Sequence, residues 1–218
     1  MTAPKTKTNL HSEILRAAAR EELEWLGLSQ KGRSRTWLDD HGWWTVIVEF
    51  QPSGFAKGSY LNVGASWLWH ESEYFSFDVG HRVQDFVKFI DEDQFKAEAR
   101  KLAGTAQREV LRLRTLFPTV SDAASYLKKN GLALNLWHMF DAGIAAGCIG
   151  DRAQSLLCFN RVLERDAKAE YEIRRRDTVR KLIEFLPDTA TFRAQIERSI
   201  QKTRSLRKLK EKSGPLLT

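Results

Sequence analysis

The sequence has little to offer for crosslinking or metal capture. It contains two cysteines, Cys148 and Cys158, in 218 residues. Two thiols without a matching Cys/His set do not make a zinc site. Both lie in apolar segments with helical spacing, where free, buried thiols are the expected state. Nothing here requires an oxidising compartment, so a reducing cytoplasm is the expected setting. Long hydrophobic runs are also missing. The longest apolar segment, Leu132 to Ile149, is interrupted by Asn135, His138 and Asp141, and about 18 uninterrupted apolar residues are needed to span a bilayer. The opening stretch MTAPKTKTNLHSEIL has no apolar h-region, so neither a secretory signal nor a membrane partner is expected.

Several chemical signatures are absent too. The chain has no G-x-G-x-x-G, no G-x-x-x-x-G-K-[ST] and no G-x-S-x-G. That disfavours dinucleotide, P-loop and α/β-hydrolase chemistry, and no cofactor is expected. Cys148 and His138 stand ten residues apart. On one helix that is about 15 Å, too far for a nucleophile and its base.

What is present is a foldable mixture, 42% hydrophobic and 29% charged, which excludes wholesale disorder. The formal charge of +7 is unevenly placed. Residues 1–90 hold 10 basic and 11 acidic residues, and residues 91–218 hold 25 and 17. Six of the seven tryptophans lie between Trp25 and Trp69. The expected organisation is an aromatic part over 1–90 and a basic helical part over 91–218, packed as two regions or one continuous domain.

Periodicity separates the two parts. Leu10, Ile14, Ala17, Ala18 and Leu26 keep helical spacing, with Thr8 or Asn9 as cap and Gly27 as stop. Strand signals follow at 34–38, at Trp43–Phe50, at Tyr60–Trp69 and at Tyr74–Val79, joined by short turns. This spacing predicts an antiparallel meander. From Asp91 the period becomes helical: Phe95, Ala99, Leu102, Ala106, Val110, Leu113 and Phe117 form one stripe ending at Pro118. Ser121 is the expected cap of the next helix, which stops at Asn130-Gly131. A helical hairpin over 134–164 turns at Gly150. Two more helices, about 168–186 and 189–212, follow, with a fraying end beyond Lys212. The expected fold class is α+β: a small antiparallel sheet covered by helices, then an all-helical C-terminal region.

One stretch carries a family likeness. Leu26-Gly27-Leu28, then Lys31-Gly32-Arg33-Ser34-Arg35-Thr36-Trp37, then Val48-Glu49-Phe50-Gln51 and Tyr60-Leu61-Asn62-Val63-Gly64 together resemble a bacterial family of domains of unknown function. Its pattern is a helix, a "GF-x-x-K-G-R-x-F" stretch, a strand ending in "F-Q" and a "Y-x-x-N-x-G" strand. The resemblance covers about residues 10–90, and Leu28 departs from it where Phe is usual. It implies a small α+β unit of bacterial or phage-like origin in an intracellular setting. It implies no catalytic residue.

Four groups could carry function. Asp40, Glu49 and Gln51 approximate the acid…Glu-x-Lys pattern of restriction-type nucleases, in which two carboxylates hold a divalent ion and the lysine positions water. Here Gln51 replaces the lysine, and an ordinary turn and strand explain the same residues. His70, Glu73, Asp78 and His81 could ligate a metal but lack a recognised spacing, so no metal is expected. Trp43, Trp44, Trp67 and Trp69 either fill the core or form an exposed patch for a partner, since Trp43 and Trp44 should face opposite sides of a strand. Arg174, Arg175, Arg176, Arg180 and Lys181, and the run Lys202, Arg204, Arg207, Lys208 and Lys210, could neutralise phosphates or simply form solvated helix faces. The expectation from these groups is a non-catalytic interaction or adaptor protein with a protein partner, a subunit of a larger assembly. Nucleic-acid binding through the C-terminal helices and a metal-dependent nuclease are the alternatives.

Overall fold

The computed structural model describes residues 10–130 and 136–217. Among these residues it has a five-stranded sheet and seven α-helices, so the fold is α+β. Two compact units divide the chain. One runs to Trp67 and resumes over Phe75–Leu113; the other takes Leu68–Tyr74 and everything from Arg114 onward. The boundary expected at residue 90 thus falls in the last turn of the long helix, because that helix's apolar stripe belongs with the sheet. The short segment Leu68–Tyr74 belongs with the helices.

The first unit opens with α1 (Leu10–Leu23). Its end follows from chain chemistry. Gly27 adopts φ +88°, and the Leu28 and Gly27 amides donate back to the Leu23 and Glu24 carbonyls. A residue with a Cβ would resist that left-handed turn. The expected caps Thr8 and Asn9 lie outside the described residues.

The strands are β1 (Ser29–Gln30), β2 (Thr36–Asp40), β3 (Trp44–Gln51), β4 (Gly58–Trp67) and β5 (Val79–Lys88). They form an antiparallel meander in sequence order. The register places Trp44 opposite Trp67, Val46 opposite Ala65, Val48 opposite Val63 and Phe50 opposite Leu61. All eight are buried, with Trp37 beside Val48 on the same face. The other face carries Glu49, Gln51, Tyr60 and Asn62, which are half-buried.

Two strand expectations are corrected. Tyr74–Val79 is not a strand; the fourth long strand is Val79–Lys88. The alternation in Tyr74–Val79 has another cause: Phe77 lies over Gly64, and Asp78 accepts the Trp67 amide at 2.7 Å. Asp39 and Asp40 end β2 rather than forming the turn, which Gly42 makes at φ +90°.

The unit closes with α2 (Glu92–Leu116), capped by Asp91, whose carboxylate accepts the Gln94 amide at 2.9 Å. Its buried residues are the predicted stripe from Phe95 to Leu113 plus Ala103, and Phe117, the stripe's last member, is buried just past the helix end.

The second unit contains α3 (Val120–Asn130), α4 (Leu136–Cys148), α5 (Arg152–Glu164), α6 (Glu170–Phe185) and α7 (Thr189–Leu206). Thr119, not Ser121, caps α3, exchanging hydrogen bonds with Asp122. Gly131 and Leu134 lie outside the described residues. From Met139 to Cys148 every residue of α4 is buried. Small residues permit this: Gly143 receives Phe159 and Gly147 receives Phe192. Burial pushes the Cys148 thiol up to about 12, and Cys158 is raised by the same cause; both are free and buried.

The C-terminal end does not fray as expected. The Glu197 carboxylate accepts the Leu216 and Leu217 amides, Arg193 donates to the Leu217 carbonyl, and both leucines are buried. Replacing Leu217 with Ala should therefore lower stability by about 1–3 kcal/mol, read as a shift of the urea midpoint. A frayed end would give no shift.

Candidate functional site

The sequence-nominated residues separate once folded. Asp40 stands opposite Thr45, four residues along β3 from Glu49. That is about 13 Å, too far for one cation to join both carboxylates. Asp40 accepts the Gly42 amide at 3.0 Å. Glu49 and Gln51 each accept from the Asn62 amide, at 2.8 and 3.0 Å, and Gln51 also accepts from Arg82 at 2.9 Å. These residues form a cross-strand polar ladder.

The proposed metal group is dispersed as well. Asp78 is taken by the Trp67 amide and the Ser76 hydroxyl, His81 is exposed on β5, Glu73 is exposed, and His70 is buried against Asp141. Among the described residues no group of three or more His, Cys, Asp or Glu is arranged to hold a metal ion.

The four tryptophans are corrected as a surface patch: Trp43, Trp44, Trp67 and Trp69 are all buried. Trp43 precedes the first strand residue, so strand alternation does not separate it from Trp44. Both rings meet Trp67, with centroids 5.5 and 6.4 Å away.

The basic run at the C-terminus is also not one surface. Arg204 and Arg207 are buried and donate to the Lys210 and Ser72 carbonyls. Lys202 pairs with Glu71. Lys208 and Lys210 are exposed. On α6, Arg174 pairs with Glu170 and Arg180 with Asp177, while Lys181 is exposed.

Arg175 and Arg176 lead to a different site, where α4 and α6 begin. Tyr171 and Arg175 are four residues apart on α6 and so share a face. Both meet Trp137 in the first turn of α4. The Trp137 and Tyr171 rings are nearly parallel, at 9°, with centroids 6.1 Å apart. The Arg175 guanidinium lies 3.4 Å from the Trp137 ring centroid and 4.3 Å from that of Phe140. Trp137 is 42% exposed and Tyr171 49%.

Behind these rings runs a buried polar chain. Arg175 Nη1 is 3.3 Å from His70 Nδ1. As arginine can only donate, Nδ1 accepts, which leaves the ring proton on Nε2; that nitrogen lies 2.7 Å from Asp141 Oδ1, without hydrogen-bond alignment. The same oxygen accepts from Trp69 Nε1 at 2.8 Å. The side chains of His70 and Asp141 are 6% and 2% exposed. The His70 ring also stacks on Phe140, and its carbonyl accepts from Thr203 at 2.8 Å. Arg175 is thus held from its charged head, which fixes the plane on which Trp137 rests.

A cavity of about 110 Å³ adjoins the site through sequence neighbours of these residues. It is lined by Leu136, Val162, Ala167, Arg165 and Arg176, with Asp166 and Glu172 as its acids. Glu172 caps α6, accepting the Lys168 and Ala169 amides at 2.9 Å each, and these bonds hold its carboxyl below the usual range. Arg176 Nε is buried and makes no hydrogen bond among the described residues.

Trp137, Tyr171, Asp141 and Arg165 were missed in the sequence. Two signals pointed to them: Trp137 is the one tryptophan outside the early cluster, and Tyr171 and Arg175 have i, i+4 spacing. No known protein family, curated protein or solved structure matches the chain.

Proposed function

We propose that this chain is a non-catalytic interaction protein, a subunit of a larger assembly, which docks a partner on the Trp137–Tyr171 surface of its helical unit. The observation that carries this reading is the exposed, nearly parallel ring pair held from behind by Arg175. Exposed aromatic side chains in water are costly unless a partner covers them, and Trp, Tyr and Arg are the residues enriched where binding energy concentrates. The buried His70–Asp141 chain supports the reading further. It pre-orders Arg175 and hence the ring above it, so little freedom remains to be lost on binding.

The test is site-specific crosslinking in the native host, with a photoreactive residue in place of Tyr171. The expected result is a discrete adduct that disappears when Trp137 is also changed to Ala. The same label at the fully exposed Phe55 should give no such adduct. Equal labelling from both positions would overturn the proposal.

A further inference from the structure

We infer that the occupant of this surface is single-stranded nucleic acid, with a base stacked on Trp137 and Tyr171 and the adjoining phosphate at Arg165 and Arg176. The inference rests on the docking reading above and names the chemistry of its partner.

Three observations converge. The first is the shape of the aromatic pair. Two nearly parallel exposed rings present flat π-faces, which every nucleobase can match without sequence preference. The second is the guanidinium already stacked on Trp137, which enriches the platform with a fixed positive charge. The third is charge. Arg165 to Lys181 holds seven basic and four acidic residues, and it contains the cavity's cations. Of these cations Arg165 is exposed and Arg176 half-buried. Accessible guanidinium groups of this kind pair with an anionic oxygen.

The acids do not cancel this arrangement. Glu172 is held by two backbone amides, and Glu170 and Asp177 are paired with Arg174 and Arg180. Asp166 is the remaining carboxylate of the lining. It stands beside Arg165 in the sequence, so it moderates the anion preference without reversing it.

An acidic peptide could use the same cations but would leave both ring faces uncovered. A duplex keeps its bases stacked inside and cannot reach the rings. A single strand offers both groups in every nucleotide, base and phosphate joined through one sugar.

The experiment is fluorescence anisotropy of an end-labelled 15-nucleotide oligothymidine and an oligouridine, titrated with the full chain at several salt concentrations. Wild type should bind both, more weakly as salt rises. Tyr171→Ala and Trp137→Ala should each weaken binding roughly 5- to 100-fold and leave the salt slope unchanged. Arg176→Gln should weaken binding and flatten the slope. Trp137→Phe should retain most of the affinity, which separates loss of stacking from loss of folding. Three results would overturn the inference: no binding by wild type, displacement by heparin as readily as by unlabelled oligonucleotide with no effect of Tyr171→Ala, or binding to duplex as tight as to single strand. If the oligonucleotides fail while the crosslink from position 171 survives nuclease and is destroyed by protease, the docking surface stands and its partner is a protein.

Discussion

Changing Asp141 to Ala should lower the stability of the helical unit by about 1–3 kcal/mol, the cost of leaving the buried Trp69 indole donor without this acceptor. The effect is large because the carboxylate is enclosed. Trp69 Nε1 donates to Asp141 Oδ1 at 2.8 Å, His70 Nε2 lies 2.7 Å from the same oxygen, and the carboxylate side chain is 2% exposed. Without it, Trp69 Nε1 loses the Asp141 acceptor and His70 Nε2 the neighbouring carboxylate. Water cannot replace the carboxylate without opening the helix packing. Asp141→Asn should cost less, since the amide oxygen still accepts from one donor while its NH₂ group confronts the other. The measurement is the urea midpoint followed by far-ultraviolet circular dichroism, with unchanged m. A double variant with His70→Ala should be less destabilised than the sum of the two single changes, because the partner left stranded by one change is removed by the other. An Asp141→Ala protein within about 0.5 kcal/mol of wild type would show that the chain behind Trp137 is not a fixed support.

The elements legible in the sequence were those whose side chains meet one continuous partner. The α2 stripe from Phe95 to Leu113 was readable because every fourth or third residue is buried. Trp44–Phe50 was readable because its alternate residues pair with those of β4. β1 is two residues without an apolar pattern, so nothing announced it. β5 was displaced because it is an edge strand with most positions exposed, and its sequence HRVQDFVK alternates poorly. Its upstream neighbour, with Phe75 and Phe77, alternates better without being a strand.

The site was hidden for another reason. It joins residues 105 positions apart, His70 and Arg175, and no local pattern encodes that meeting. The charge reading failed at Arg204 and Arg207 on the same ground. A guanidinium that caps a carbonyl inside the fold is indistinguishable, in sequence, from one that faces solvent. The tryptophans misled in the opposite direction. The four offered as an exposed patch are buried, Trp43 and Trp44 both against Trp67 and Trp69 on Asp141.

A second large effect is expected at Gly80, where Ala should destabilise the sheet unit by about 2–5 kcal/mol, combining backbone strain with overpacking. Gly80 stands opposite Gly64 in the β4–β5 ladder and has φ +127°, a conformation that L side chains rarely adopt. A Cβ there would lie 2.4 Å from the Gly64 Cα and 2.4 Å from the Val63 carbonyl oxygen. Both are backbone atoms of a central strand, so no rotamer change relieves the clash. Gly64 cannot yield either, because its own position is closed by the Val79 carbonyl at 2.5 Å and by Phe77. The two glycines therefore let two backbones approach where side chains would hold them apart. A matched control is Gly104 on α2, where a new Cβ meets only the Arg108 guanidinium at 3.9 Å. Gly104→Ala should raise stability by roughly 0.5–1 kcal/mol through helix propensity. Thermal melts of the two variants should thus move in opposite directions. Amide exchange should localise the Gly80→Ala loss to β5 and the facing part of β4, because β5 has no other strand to hold it. Equal melts for wild type and Gly80→Ala would mean that the ladder accommodates a side chain by shifting register, and the polar row of Glu49, Asn62 and Arg82 would then lose its alignment as well.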